Sequence, residues 1–293
     1  MLTPMKCFLR ILSVAAFAAS PLFANHHKSA EHTPLADQLG LQLWSLKDQF
    51  EKDVIGTLDV VGTYGIPYVE TAGTNGMVPE QYRAELVNRG VTVASAHVQY
   101  DALVKNFEAV LIDVIALGAK YAMIPWIPHD GAFTEDDNAK AIERLKEWGP
   151  KFAEHGIKFG YHPHGYEFGA GKEEVTLFDK MAKATEGHDV YFQMDVCWVV
   201  YGGEDPIALL HEYKDRWVSM HVKDIRKGVP VGFLRPNLPA EDRVVIGTGR
   251  VDWPSVISTA RSYGMELFFI EDEGVNAPRD IPLSLEYLRS LEM

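Results

Sequence analysis

From about residue 38 to the end of the chain, short apolar runs alternate with longer segments whose apolar residues recur every three to four positions. The runs at 39–44, 68–70, 92–97, 121–125, 158–162, 191–194, 218–221 and 267–270 have the length and β-branched or aromatic content of buried strands. The amphipathic segments at 54–64, 79–89, 103–117, 135–154, 175–185, 206–213, 253–263 and 282–291 read as helices. In the third of these, Leu103, Phe107, Val110, Leu111, Val114 and Leu117 share one face. Thr134 and Asp252 stand where N-caps belong, the latter followed by Pro254 in the first turn. Gly65, Gly90, Gly118, Gly156 and Gly264 close helices ahead of the next strand.

Eight strand–helix units with no Pro/Gly/Ser-rich linker between them predict an α/β chain folded as a single (β/α)8 barrel over residues 38–293. A doubly wound open sheet is the alternative, but no Gly-rich phosphate turn follows the first strand. Gly247-Thr-Gly249 is an isolated pair, read as a loop hinge. The long loop 224–250, with Pro230, Pro236 and Pro239, has the length of a lid or binding loop.

The first residues follow a different pattern. Lys6 and Arg10 precede the apolar run 11–23, and Ala24 follows it, which reads as a signal peptide over residues 1–24. The run is shorter than the ~20 residues of a membrane-spanning helix. Residues 25–37, with His26, His27 and His32, read as a polar leader. Cleavage removes two of 28 basic residues and none of 41 acidic ones, taking the net charge from −13 to −15. That charge argues against nucleic acid, whose backbone is bound by clustered Lys and Arg. Cys197 is then the only cysteine, so no disulfide forms within the chain. An exported, disulfide-free domain of this size fits a periplasmic location, free of the membrane once the signal is cut.

The chemistry gathers at strand ends. His162, Asp195, His221 and Glu271 close the runs read as strands five to eight, and a barrel brings those ends to one face. Each alone reads more readily as a capped strand end or a surface polar group. Four together make a divalent-metal site, and mixed imidazole and carboxylate ligands suit Mn²⁺, Zn²⁺, Co²⁺ or Fe²⁺. His164 points the same way as His162 along a strand, so either is open as the ligand and the other as a substrate contact. Glu70, His97 and Glu167 are candidate bases for removing a carbon-bound proton, with a structural salt bridge as the other reading of Glu70. Lys223 suits a substrate oxygen or a pairing with Asp224. Trp44, Trp126 and Trp198 offer flat surfaces for a sugar ring or for core packing.

At these residues the chain resembles the sugar phosphate isomerase/epimerase family, xylose isomerase-like TIM barrels that also include endonuclease IV. The resemblance covers residues 38–291. It is carried by Leu-Gly-Leu-Gln-Leu-Trp-Ser-Leu at 39–46, Tyr-Val-Glu-Thr-Ala-Gly at 68–73, Tyr-His-Pro-His at 161–164 with Glu167-Phe168, Met-Asp195-Val, His221-Val-Lys-Asp and Ile-Glu271-Asp. It implies metal ligands at the ends of strands five to eight, usually Glu, Asp, His and Glu, here matched by His162, Asp195, His221 and Glu271. His162 departs from the usual Glu, as in the Tyr-His-Asn-His branch, and Pro163 replaces that Asn. The family's strand-five glutamate for proton transfer is matched loosely by Glu167. The resemblance implies isomerisation or epimerisation of a free or oxidised sugar through an enediolate. Cleavage of a 3-keto-glycoside by β-elimination, or a non-catalytic sugar-binding barrel, are the alternatives. The acidic charge sets endonuclease activity aside.

Overall fold

The computed structural model describes residues 33–169, 175–232 and 237–293. Eight parallel strands close into a barrel in which each pairs with its neighbours in sequence and the last returns to the first. They are β1 (Leu39–Gln42), β2 (Tyr68–Thr71), β3 (Thr92–His97), β4 (Tyr121–Ile124), β5 (Lys158–Tyr161), β6 (Val190–Asp195), β7 (Trp217–Val222) and β8 (Phe268–Ile270). This is the (β/α)8 architecture expected from the alternating pattern. The apolar face of the helix Tyr100–Leu117 packs on the barrel through Leu103, Leu111, Val114 and Leu117, with Phe107 and Val110 partly buried beside them. Thr134 forms a reciprocal capping box with Asp137, and Asp252 accepts from the Ser255 amide.

Several details depart from the sequence expectation. The end of the 25–37 leader belongs to the folded unit, because Leu35–Gln38 forms a 3-10 turn with Leu35 and Gln38 buried. The signal segment 1–24 lies outside the described residues. A short helix, Val196–Gly202, follows β6 directly; it is too short and too apolar on all sides to show a period. The last helix begins at Ala277 rather than at Pro282: Pro278 stands in its first turn, and Pro282 lies inside the helix, where it removes one backbone hydrogen bond.

The 224–250 loop is anchored at its base. Asp224–Ile225 pairs antiparallel with Arg243–Val244 as a two-stranded ribbon. The Asp224 carboxylate accepts from the amides of Ile225, Gly247 and Gly249 and from the Trp253 indole, at 2.9–3.1 Å. A Cβ at Gly249 would fall 2.1 Å from Asp224 Oδ1, so only glycine permits this staple. Inside the barrel, a Cβ at Gly160 would lie 2.1 Å from the Tyr191 carbonyl oxygen, a distance that forbids any larger residue at that register. Among the described residues no helix is long and apolar enough to cross a membrane.

Candidate metal centre

Strand side chains alternate faces, so residues two apart on one strand point the same way. This rule builds two polar layers at the C-terminal end of the barrel. Cross-strand register sets Gln42 beside Glu70 and Glu70 beside Ser95, with Gln193 beside Ser219. Two residues further along each strand, His97, Asp195 and His221 form the layer above, and register sets Asp195 beside His221. His162 and Glu271 follow directly on β5 and β8.

Glu70 is the hub of the lower layer and is fully buried. Its carboxylate accepts from Gln42 Nε2 at 2.7 Å, Ser95 Oγ at 2.6 Å and Gln193 Nε2 at 2.7 Å. His221 Nε2 lies 2.6 Å and His97 Nε2 2.9 Å from Oε1. Burial alone would raise its pKa, but the two imidazoles outweigh it and hold the carboxyl well below its usual range.

An anionic Glu70 dictates where protons sit on its neighbours. The Gln193 amide must turn its NH₂ toward Glu70, donating also to Ser219 Oγ at 3.0 Å. Its Oε1 then faces His97 Nε2 at 2.9 Å and His162 Nδ1 at 3.0 Å, and both nitrogens must carry hydrogen. Gln42 donates to His97 Nδ1 at 3.2 Å. Hence the proton of His162 is on Nδ1, and its Nε2 presents a lone pair. His221 points Nε2 at Glu70 and turns Nδ1 the other way.

Those two outward nitrogens meet the carboxylates of the upper layer. Asp195 Oδ2 is buried without a hydrogen-bond partner, 3.7 Å from His162 Nε2 and 3.9 Å from His221 Nδ1. Its other oxygen takes the Trp198 amide at 2.9 Å and caps the helix there. Glu271 Oε2 lies 3.2 Å from His221 Nδ1. Ligand atoms of Asp195, His221 and Glu271 all fall within 4.8 Å of one another. An orphaned carboxylate oxygen facing two imidazole nitrogens in a buried site is the donor set a divalent ion would fill. His97, His162 and His221 also lie close together. That second group is closed, because His97 spends both nitrogens on Gln42, Gln193 and Glu70.

Without an ion, protons and Lys223 balance the acids. Burial opposes a charged His221, but Glu70 and Glu271 outweigh it and push the imidazole up to about 10. Burial raises Asp195 to about 6 against the pull of Lys223. Lys223, also buried, donates to Glu271 Oε2 at 3.0 Å and to Glu273, and lies 3.7 Å from Asp195 Oδ2. It does not pair with Asp224, which staples the ribbon instead. Lys223 and, from the ribbon, Arg243 flank the Trp198 ring at 4.9 and 5.6 Å. Trp198 is thereby covered and offers no open ring face.

The remaining candidates occupy the rim. His164 follows His162 on the same side; its ring lies 4.8 Å from His162 and 5.7 Å from Trp198, and its Nδ1 is buried without a partner. Trp126 packs edge-on to His164 at 5.5 Å and stacks on His129 at 4.8 Å. Glu167 stands apart from the cluster. Burial pushes its carboxyl up to about 7, and it accepts from the Tyr161 hydroxyl and from the His164 amide at 3.1 Å, so it fixes the His162–His164 turn. Trp44 is also apart, 45% exposed on a 3-10 turn with the Lys47 ammonium 5.2 Å from its ring centre. Of the three candidate bases, Glu70, His97 and Glu167 all have their accepting atoms engaged. Gln42, Ser95, Gln193 and Ser219 were missed as site residues, although each of the last three stands two positions from a residue of the lower or upper layer.

Comparisons with known proteins agree with this architecture. The sequence model of the xylose isomerase-like TIM barrel family matches residues 59–291. An inosose dehydratase of Geobacillus kaustophilus is 27% identical over 211 residues, 63% of this chain and 65% of that one. Other inosose dehydratases match over shorter stretches, and the chain spans between 32% and 65% of the length of these relatives. A solved sugar phosphate isomerase/epimerase of Parabacteroides distasonis superposes with a TM-score of 0.71 at 23% identity, covering 87% of this chain and 98% of that one. The IOLI protein with a bound zinc atom superposes with a TM-score of 0.66 at 13% identity, over 87% and 97% of the two chains.

Proposed function

The chain belongs to the xylose isomerase-like TIM barrel family, and from that premise we propose that it is a metal-dependent lyase that eliminates a β-substituent from a keto-sugar or keto-cyclitol. The observation that carries this reading is the convergence of His162 Nε2, Asp195 Oδ2, His221 Nδ1 and Glu271 Oε2, with Asp195 Oδ2 left unpartnered in a buried site. A divalent ion held there supplies Lewis acidity, lowering the cost of the negative charge that enolisation puts on a carbonyl oxygen. The inosose dehydratase relatives support elimination ahead of isomerisation.

The chain's own groups divide the remaining work. His164, whose Nδ1 is buried without a hydrogen-bond partner and whose ring is held neutral by burial, its pKa lowered to about 3, takes the proton from the carbon next to the carbonyl. The C–H electron pair moves onto the carbonyl oxygen, toward which the Lys223 ammonium donates. When that pair returns, the bond to the β-oxygen breaks, and the leaving oxygen takes from His164 the proton removed from carbon, departing as water or an alcohol and leaving an unsaturated ketone. Glu167 holds the His164 backbone, and Trp126 packs its edge against the ring.

Incubation of the metal-loaded chain with an inosose in D₂O is the test. Elimination predicts growth of the ultraviolet band of a conjugated ketone together with deuterium in recovered substrate. Deuterium uptake with no such band would turn the reading to isomerisation or epimerisation, and binding with neither would turn it to a sugar-binding barrel. The same run with His164→Ala is expected to lose about 100-fold or more in exchange rate, the scale of a lost general base.

A further inference from the structure

The geometry points to Gln193 as the positioning residue that selects the ligand nitrogen of His162, an inference that rests on the metal reading above. Gln193 is fully buried in β6, two residues before Asp195, and all four hydrogen-bonding positions of its amide are taken. Nε2 donates to Glu70 at 2.7 Å and to Ser219 at 3.0 Å; Oε1 faces His97 Nε2 and His162 Nδ1 at 2.9 and 3.0 Å. The reversed amide would set its oxygen against the Glu70 carboxylate and its NH₂ against two imidazole nitrogens. In a buried site, an amide oxygen against a carboxylate is a contact between like partial charges, so a single orientation survives.

One amide oxygen therefore fixes two histidines. It requires N–H at His97 Nε2 and at His162 Nδ1. For His162 this is the consequential choice, since it leaves Nε2 bare toward Asp195 Oδ2 at 3.7 Å. Were the proton on Nε2, an N–H would point at the place where the ion must sit. Gln193 thus connects Glu70, in the lower layer, to His162 on the far side of the barrel. Outer partners of this kind set ring orientation as well as tautomer, and their loss typically weakens metal binding by about 10- to 100-fold.

Two measurements on the full chain separate this inference from the metal reading. The first is the ¹⁵N spectrum of histidine-labelled, metal-free protein, which reports tautomers with no ion present. The unmodified chain is expected to show His162 protonated at Nδ1, and Gln193→Met, similar in shape but without the amide, to show a mixture. Gln193→Glu, which keeps an oxygen at the Oε1 position, is expected to restore the Nδ1–H form. The second is Co²⁺ titration followed by visible absorption, with Gln193→Met binding about 10- to 100-fold more weakly and with an altered spectrum. A residue that merely fills space would lower the melting temperature without moving either readout. His162 protonated at Nε2 in the unmodified chain overturns the inference, even if Gln193→Met does not fold. The expected tautomers in a chain that binds no Co²⁺ would leave Gln193 as the selector and sink the metal reading instead.

Discussion

Asp195→Asn is expected to remove divalent-ion binding while leaving the metal-free chain at least as stable as the parent at pH 7. The two halves have separate causes. Asp195 contributes the one buried carboxylate oxygen of the cluster that has no hydrogen-bond partner, aimed between His162 and His221. Losing it should weaken binding by more than the ~10- to 100-fold that follows loss of an outer partner. Stability moves the other way. Burial raises Asp195 to about 6, so the folded chain holds its proton more tightly than the unfolded one. Its ionisation therefore costs stability, beginning in the ordinary carboxylate range and complete above about pH 6. Asparagine retains an acceptor for the Trp198 amide and carries no charge. Urea unfolding of both metal-free chains at pH 7 and pH 5 checks this: the advantage of the variant should shrink at the lower pH. A variant that is clearly less stable at pH 7 would mean that the carboxylate serves the fold.

Glu70→Ala has the opposite signature and the largest expected effect on stability. Five donors converge on this buried carboxylate, from Gln42, Ser95, Gln193, His97 and His221, and removing the acid takes the acceptor from all of them at once. Breaking a buried charged network by deleting one member costs about 3–5 kcal/mol. A single net hydrogen bond is worth only about 1 kcal/mol, so the convergence decides the size. The loss should appear as a lowered urea midpoint with or without metal. Glu70→Gln keeps the shape and should fall between, yet it supplies N–H groups where acceptors are needed. A Glu70→Ala chain as stable as the parent would remove Glu70 from the centre of the site.

The fold was legible because period two and period three-to-four segments alternate eight times, and the glycines at helix ends agree. The helix 196–202 escaped notice because it is apolar all round and starts on the very residue that ends β6. The ribbon in the 224–250 loop escaped because two-residue strands have no period to read. Strand ends were legible too: His162, Asp195, His221 and Glu271 do come together. The lower layer was not, because Gln42, Ser95, Gln193 and Ser219 look like ordinary polar residues within strands. Their signal was positional. Ser95, Gln193 and Ser219 each stand two residues before His97, Asp195 and His221, on the same face of the same strand. That layer changes the reading of Glu70 from base to hub and leaves His164 as the group with an open nitrogen. The sequence resemblance implies isomerisation first, and elimination is proposed ahead of it because relatives matched over part of their length are inosose dehydratases. The proposed signal segment 1–24 and a periplasmic location stay as sequence proposals, for which fractionation of cells producing the full chain is the direct check.

Whether a divalent ion sits between His162, Asp195, His221 and Glu271 is tested most directly by dialysing the full chain against Zn²⁺ or Mn²⁺, removing free ion and measuring bound metal by elemental analysis. A single equivalent is expected to be retained by the unmodified chain and none by Asp195→Asn. No retained ion in the unmodified chain, or equal retention in both, would contradict it.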